Sequence, residues 1–375
     1  MEQTAAPDQT EPIAPEPIAP APAAAALPDE SPAAAELDYP IKGPPPGGTT
    51  LEVAPGVRWV RMPLPFRLDH INLWLLEDGP GWTVVDTGIG SEKTRQIWRQ
   101  VFADTLNGRP ITRVICTHFH PDHMGLAGWF AREWNVKLWA TRMEWLWCRM
   151  LCIDESEAMI EGAVRFYARA GMDGAGQEAV RARGNGYRKG VVTPPTSLHA
   201  IGAGDVIAIG GRDWHVHIGS GHSPEHACLY CPELDVLISG DQVLPRISPN
   251  VSVWASEPED DPLARFLDSL ERLRAVPNSA FVLPSHGLPF RGLHARLDQL
   301  AEHHAQHFQE VLDACTDWRS ARDISRVMFR PDLDPQQLVF AVGESLAHLH
   351  YLVGRGRLTQ RMDADGVVRF IRGAT

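Results

Sequence analysis

The stretch Thr117-His118-Phe119-His120-Pro121-Asp122-His123-Met124-Gly125 follows directly on the β-branched run Ile111–Cys116. Four potential metal ligands, His118, His120, Asp122 and His123, fall within six residues. The run before them predicts a strand. Pro121 and Gly125 disfavour its continuation and predict a loop. Such a loop can wrap alternate side chains around one ion. Imidazole mixed with carboxylate suits Zn²⁺, Fe²⁺ or Mn²⁺. Only 16 of the 375 residues are histidine, so three of them in this loop are not a compositional accident.

Upstream, short extended runs at residues 51–53, 58–62, 71–77 and 82–86 are punctuated by Pro55-Gly56 and Gly79-Pro80-Gly81, the pattern of a β-meander. Ser91 is expected to cap a helix to about Leu106, and a further helix to end near Glu133. Residues 141–190 read as mostly helical, rich in Trp and Met. Strands return at 204–219, 227–231 and 236–239, then a helix at 262–275 and a strand at 280–283. Strand and helix alternate twice over, which predicts two sheets sandwiched between helices. Four further polar motifs stand where predicted strands run out: Asp86-Thr87-Gly88, Gly221-His222-Ser223-Pro224-Glu225-His226, Ser239-Gly240-Asp241 and Pro284-Ser285-His286-Gly287.

These five motifs, in this order over about Leu51–Leu293, resemble those of the metallo-β-lactamase-fold hydrolases. The resemblance implies an α/β fold, the four-layer αββα sandwich, with all five motifs at one edge. It implies two divalent metal ions, with zinc favoured and iron or manganese as alternatives. His118, His120 and His222 would hold the first ion. Asp122, His123 and His286 would hold the second, and Asp241 would bridge both. A metal-bridging water with a lowered pKa would then supply hydroxide near neutral pH. Asp86 is expected to orient a metal-binding histidine rather than to ligate, so Asp122 and Asp86 are the carboxylates carrying catalytic roles. His226 is read as a hydrogen-bonding neighbour of the site or as a plain structural histidine.

Departures from relatives narrow the branch. His120 stands where the di-iron flavoproteins carry Glu. Asp241 argues against lactam hydrolysis, because true metallo-β-lactamases generally lack that bridge. Only 44 residues separate Asp241 from His286, too few for the helical insert of the related nucleases. The pattern is most similar to the glyoxalase-II, thioesterase and lactonase branch. The expected function is hydrolysis of a small-molecule acyl bond, with a thioester favoured over an ester or lactone. Two alternatives stay open: an endoribonuclease or phosphodiesterase using the same metals, and a non-catalytic, metal-bound regulatory protein.

Composition sets the remaining expectations. Residues 1–37 hold 12 Ala and 8 Pro and no base, so residues 1–50 are expected to form a disordered tail and linker. The first basic residue is Lys42, which argues against a secretory or mitochondrial leader. No run of 18 apolar residues exists, so no membrane span is expected. Six cysteines are too few for a disulfide scaffold and point to a cytoplasmic setting. Cys228 and Cys231, and likewise Cys148 and Cys152, are read as buried core residues.

Residues 51–293 are assigned to the hydrolase domain. The stretch 141–190 is assigned as a lid-like insert, whose Arg181, Arg183, Arg188 and Lys189 are candidates to grip an anionic group. Residues 294–375 show three helical stretches followed by a hairpin at Asp363-Ala364-Asp365-Gly366, a winged-helix pattern. Residues 291–375 carry 11 Arg, no Lys and 11 acids, and the whole chain has net charge −12. Nucleic acid is therefore disfavoured as a partner even with Arg355, Arg357 and Arg361 on the wing. The terminal region is expected to pack on the hydrolase or on a second copy of the chain.

Overall fold

The computed structural model describes residues 37–373. A seven-stranded sheet pairs β1 (Thr50–Ala54), β2 (Val57–Pro63), β3 (His70–Asp78), β4 (Gly81–Val85), β5 (Ile111–Ile115), β6 (Leu138–Ala140) and β7 (Leu198–Ala200) in sequence order. The first four are antiparallel, and β4 to β7 run parallel. A second sheet has the order β12-β11-β10-β9-β8, from β8 (Val206–Ile209), β9 (Arg212–Gly219), β10 (His226–Cys231), β11 (Val236–Gly240) and β12 (Phe281–Pro284). Here only β11 and β12 are parallel.

Side-chain alternation assigns each face. On β3, Trp74 and Leu76 join a core shared with Trp214, Val216, Leu229 and Ile238 of the second sheet. Leu73 and Leu75 join a core shared with Trp98 and Phe130. Those two aromatics belong to helices α1 (Glu92–Asp104) and α3 (Ala127–Glu133), which flank the one-turn α2 (Pro121–Met124). The outer face of the second sheet packs on α7 (Pro262–Leu273), which follows α4 (Arg142–Ile153), α5 (Glu157–Arg169) and α6 (Gly174–Arg183) in the chain. Asp261 caps α7 through Ala264 N–H at 3.0 Å, and Pro262 opens it. Leu263, Phe266, Leu270 and Leu273 form its buried stripe, each contributing about 1.5–3 kcal/mol. The result is the expected helix–sheet–sheet–helix layering.

The C-terminal region contains α8 (Leu293–Ala314), the two-residue β13 (Arg319–Ser320), α9 (Ala321–Met328), α10 (Pro335–Gly354) and the hairpin β14 (Leu358–Met362) and β15 (Val368–Arg372). Ser320 and Asp323 form a capping box at the start of α9.

The 141–190 segment, expected as a helical lid-like insert, holds α4, α5 and α6. Val164 and Tyr167 of α5, Val180 of α6 and Met172 between them share one continuous core with Phe266, Leu297 and Leu349. The disordered tail and linker expected over residues 1–50 is corrected at its end, because order begins before residue 50. Leu37 is buried at 9 % exposure, and Asp38 pairs with Arg291 in an antiparallel bridge. A single buried leucine and one bridge are invisible in an Ala/Pro-rich composition. The expected disorder of residues 1–36 lies outside the described residues. Among the described residues no helix is long and apolar enough to cross a membrane.

Candidate metal centre

Parallel pairing puts the C-terminal ends of β4 and β5, and of β11 and β12, at one edge of the sandwich. Asp86 leaves β4 and the His118–His123 loop leaves β5. His222 follows β9, Asp241 follows β11 and His286 follows β12.

All seven predicted ligands converge. Nε2 of His118 lies 2.8 Å from Nδ1 of His120 and 3.3 Å from Nε2 of His222. On the other side, Oδ2 of Asp122 lies 3.6 Å from Nε2 of His123 and 3.5 Å from Nε2 of His286. Asp241 stands between the groups. Its Oδ2 is 3.5 Å from Nε2 of His222, and its Oδ1 is 3.4 Å from Nε2 of both His123 and His286. The groups His118/His120/His222, His118/His123/Asp241 and Asp122/His123/His286 each bring three donor atoms close enough to share an ion.

The donor set fits divalent cations. Nε2 of His123 and Oδ1 of Asp241 are buried with no hydrogen-bond partner, a costly arrangement without a charge between them. Burial holds His118 and His120 well below the ordinary histidine value, leaving neutral imidazoles. Burial presses His123 down as well, but Asp241, Asp122 and Asp86 outweigh it and raise the ring well above its ordinary value. This pocket therefore demands a positive charge, which a proton or a metal ion can supply.

Three of the imidazoles are aimed by their other nitrogen. Nδ1 of His123 donates to Oδ2 of Asp86 at 2.8 Å. Asp86 also accepts from the Thr117 amide at 2.8 Å and from its hydroxyl. Asp86 thus fixes the direction of the His123 ring. It does so from φ +61°, a conformation that aspartate tolerates better than most residues. His222 donates to the Asn250 carbonyl and His286 to the His70 carbonyl, each at 2.8 Å. These bonds leave Nε2 of all three rings free for a cation. Nε2 of His226 accepts the Asp241 amide at 3.0 Å, and its ring stacks 4.7 Å from that of His118. Burial pushes His226 down to about 3, which keeps that acceptor neutral.

Sequence reading missed Glu144. It sits in the first turn of α4 and is fully buried. Its carboxylate accepts from the Phe119 amide at 2.9 Å, the Ser223 hydroxyl at 2.8 Å and the Glu225 amide at 2.7 Å. The loops that carry His118–His123 and His222 are therefore tied together by one side chain of the insert. Burial pushes Glu144 up to about 7. The Tyr187 hydroxyl donates to the Phe119 carbonyl.

Of the four candidate anion-binding residues, Arg181 is engaged by Glu161 and Glu178, and Arg188 by Glu155. Arg183 is half-buried over the Phe340 ring and has no acidic partner among the described residues. Lys189 is exposed. All six cysteines are buried and unpaired. Cys228 and Cys231 face different cores, as their spacing on a strand requires.

Residues 67–286 match the Metallo-beta-lactamase superfamily, well over half of the chain. The chain belongs to this superfamily. Residues 308–373 match the Metallo-beta-lactamase-like C-terminal domain. A crystal structure of a beta-lactamase domain protein from Burkholderia ambifaria is 46 % identical, with a TM-score of 0.84, covering 90 % of this chain and 98 % of the other. The "Probable metallo-hydrolase YqjP" of Bacillus subtilis is 23 % identical over 82 % of this chain and 95 % of its own. Two superfamily relatives have named activities. The linear primary-alkylsulfatase of a Pseudomonas species is 24 % identical over 58 % of this chain and 42 % of its own length. The atrochrysone carboxyl ACP thioesterase of Aspergillus fumigatus is 22 % identical over 74 % of this chain and 52 % of its own. The homologues thus support a metal-dependent hydrolase.

Proposed function

We propose that the chain is a dinuclear metal-dependent hydrolase of a small-molecule acyl bond, with a thioester as the favoured substrate. The observation carrying this reading is Asp241, whose two oxygens face the two donor groups separately. His118, His120 and His222 would hold one cation, and Asp122, His123 and His286 the other. Such a pair, when bound, supplies Lewis acidity and a nucleophile at neutral pH. The chain's own residues do the rest. Asp86, Asn250 and His70 fix the rings of His123, His222 and His286. Asp122, whose side chain is 17 % exposed, is placed to accept a proton from an entering water.

Two features support an acyl chain ending in an anionic group. Met143, Leu146, Met150 and Ile153 form an exposed apolar stripe along α4. The Trp147 ring on the same helix lies 5.9 Å from that of Phe119, between His118 and His120 in the chain. Arg183 offers a guanidinium that no carboxylate occupies among the described residues. The thioesterase relative is consistent with this chemistry. The alkylsulfatase relative favours a second reading, a sulfate ester of an apolar alcohol. RNA is disfavoured, since Arg355 pairs with Asp261 and Arg361 with Asp363. The order of elements in residues 294–375 supports a winged helix used for packing. The unpaired cysteines support a cytoplasmic location.

The test is one panel of substrates. Protein loaded with zinc, iron or manganese is assayed on acyl-CoA, acyl-glutathione, a lactone, an alkyl sulfate and RNA. Fastest turnover on a thioester is expected. Turnover confined to RNA or to the sulfate ester would replace the reading.

A further inference from the structure

We propose that Glu344, on α10 of the C-terminal region, is a positioning residue for the cation site of His118, His120 and His222, acting through Asn250. The inference rests on the dinuclear reading above. It assigns a residue far from the metal motifs to the metal centre.

The chain of contacts is short. Nδ1 of His222 donates to the Asn250 carbonyl at 2.8 Å. That bond turns Nε2 toward His118 and Asp241. Asn250 belongs to an irregular segment between β11 and α7, so no sheet or helix holds its carbonyl in place. Its side chain does. Nδ2 of Asn250 donates to Oε2 of Glu344 at 2.8 Å, and Oδ1 accepts from the Ser252 hydroxyl at 2.8 Å. The Val253 amide then donates to the Gly343 carbonyl at 3.1 Å. A Cβ at position 343 would stand 3.0 Å from the Ser252 side chain, so glycine permits this close seating. The irregular segment is thus bedded on one patch of α10, residues 340–344, and Glu344 is its anchor.

The carboxyl itself is costly. Glu344 is buried, and its Oε1 has no hydrogen-bond partner. Burial pushes it up to about 8, so it is largely neutral at pH 7. An apolar side chain of that size would pack there without this penalty. What the carboxyl contributes that an apolar group cannot is the acceptor for Asn250. A structural carboxyl and a positioning one both stabilise the fold, but only the second tightens metal binding.

The experiment measures zinc affinity by competition with a chromogenic chelator, on full-length wild type, Glu344→Gln, Glu344→Leu, Asn250→Ala and the Glu344→Leu/Asn250→Ala double variant. Thermal melts are run on the metal-free proteins. Glu344→Leu is expected to loosen one of two zinc ions by about ten- to hundredfold, the range for lost outer partners of metal ligands. Glu344→Gln keeps an acceptor oxygen and should stay within about threefold of wild type. Asn250→Ala should loosen the same ion, and the double variant should be no weaker than the worse single one. Should Glu344→Leu fail to fold, Asn250→Ala, which alters an irregular segment, carries the test. Unchanged zinc affinity in a folded variant, with only a lower Tm, would overturn the proposal. A wild type that never binds a second zinc would overturn the dinuclear reading instead, and the proposal with it.

Discussion

The carboxylate of Asp86 meets Nδ1 of His123 at 2.8 Å, with both groups fully buried. The same carboxylate holds the amide of Thr117, the residue that opens the His118–His123 loop. One side chain therefore sets both the path of that loop and the direction of one of its rings.

Asp86→Asn should keep the fold, since asparagine also tolerates the positive φ at this position. Its amide can no longer act as a charged acceptor on both contacts. Zinc affinity of the Asp122/His123/His286 group is expected to fall about ten- to hundredfold, with turnover falling alongside. Titration against a chelator checks this, and affinity equal to wild type would contradict it.

The seven converging residues were legible because each sits in a short motif at a strand end, so chain order alone put them together. Glu144 and Glu344 were not legible. Glu144 reaches Ser223 across 79 residues and Glu344 reaches Asn250 across 94, with no local pattern at either end. Both lie on helices whose periodicity announces packing and says nothing of polar partners. The sandwich was readable from alternating strands and helices. The seating of α5 and α6 against the C-terminal helices was not, because a buried stripe does not name the surface it covers.

Glu344 also gives a pH signature. Its carboxyl rises from 4.5 to about 8 on folding. A raised folded value means that the stability tied to the proton is fully present below pH about 4.5 and is lost as pH rises through about 8. The neutral amide introduced by Glu344→Gln does not titrate. The metal-free Glu344→Gln protein should therefore gain in Tm relative to wild type as pH is raised from 5 to 9. A Tm difference that does not change with pH would count against the buried neutral acid.

Arg183→Gln addresses the substrate. If its free guanidinium grips an anionic group, KM for an acyl-CoA should rise about ten- to hundredfold, following the roughly 1.5–3 kcal/mol of a hydrogen bond to a charged group. KM for a neutral thioester of the same acyl chain should stay unchanged. Equal effects on both substrates would assign Arg183 to packing over Phe340.

The central claim is a pair of cations joined by Asp241. Elemental analysis of gently purified protein, with metal in excess, tests it most directly when wild type is compared with Asp241→Ala. Removing the carboxylate takes away an oxygen facing each group while leaving the strand-end scaffold in place. Two metals per chain are predicted for wild type and about one for the variant, with little change in Tm. One metal per chain in wild type, or two held equally tightly in the variant, would contradict the account.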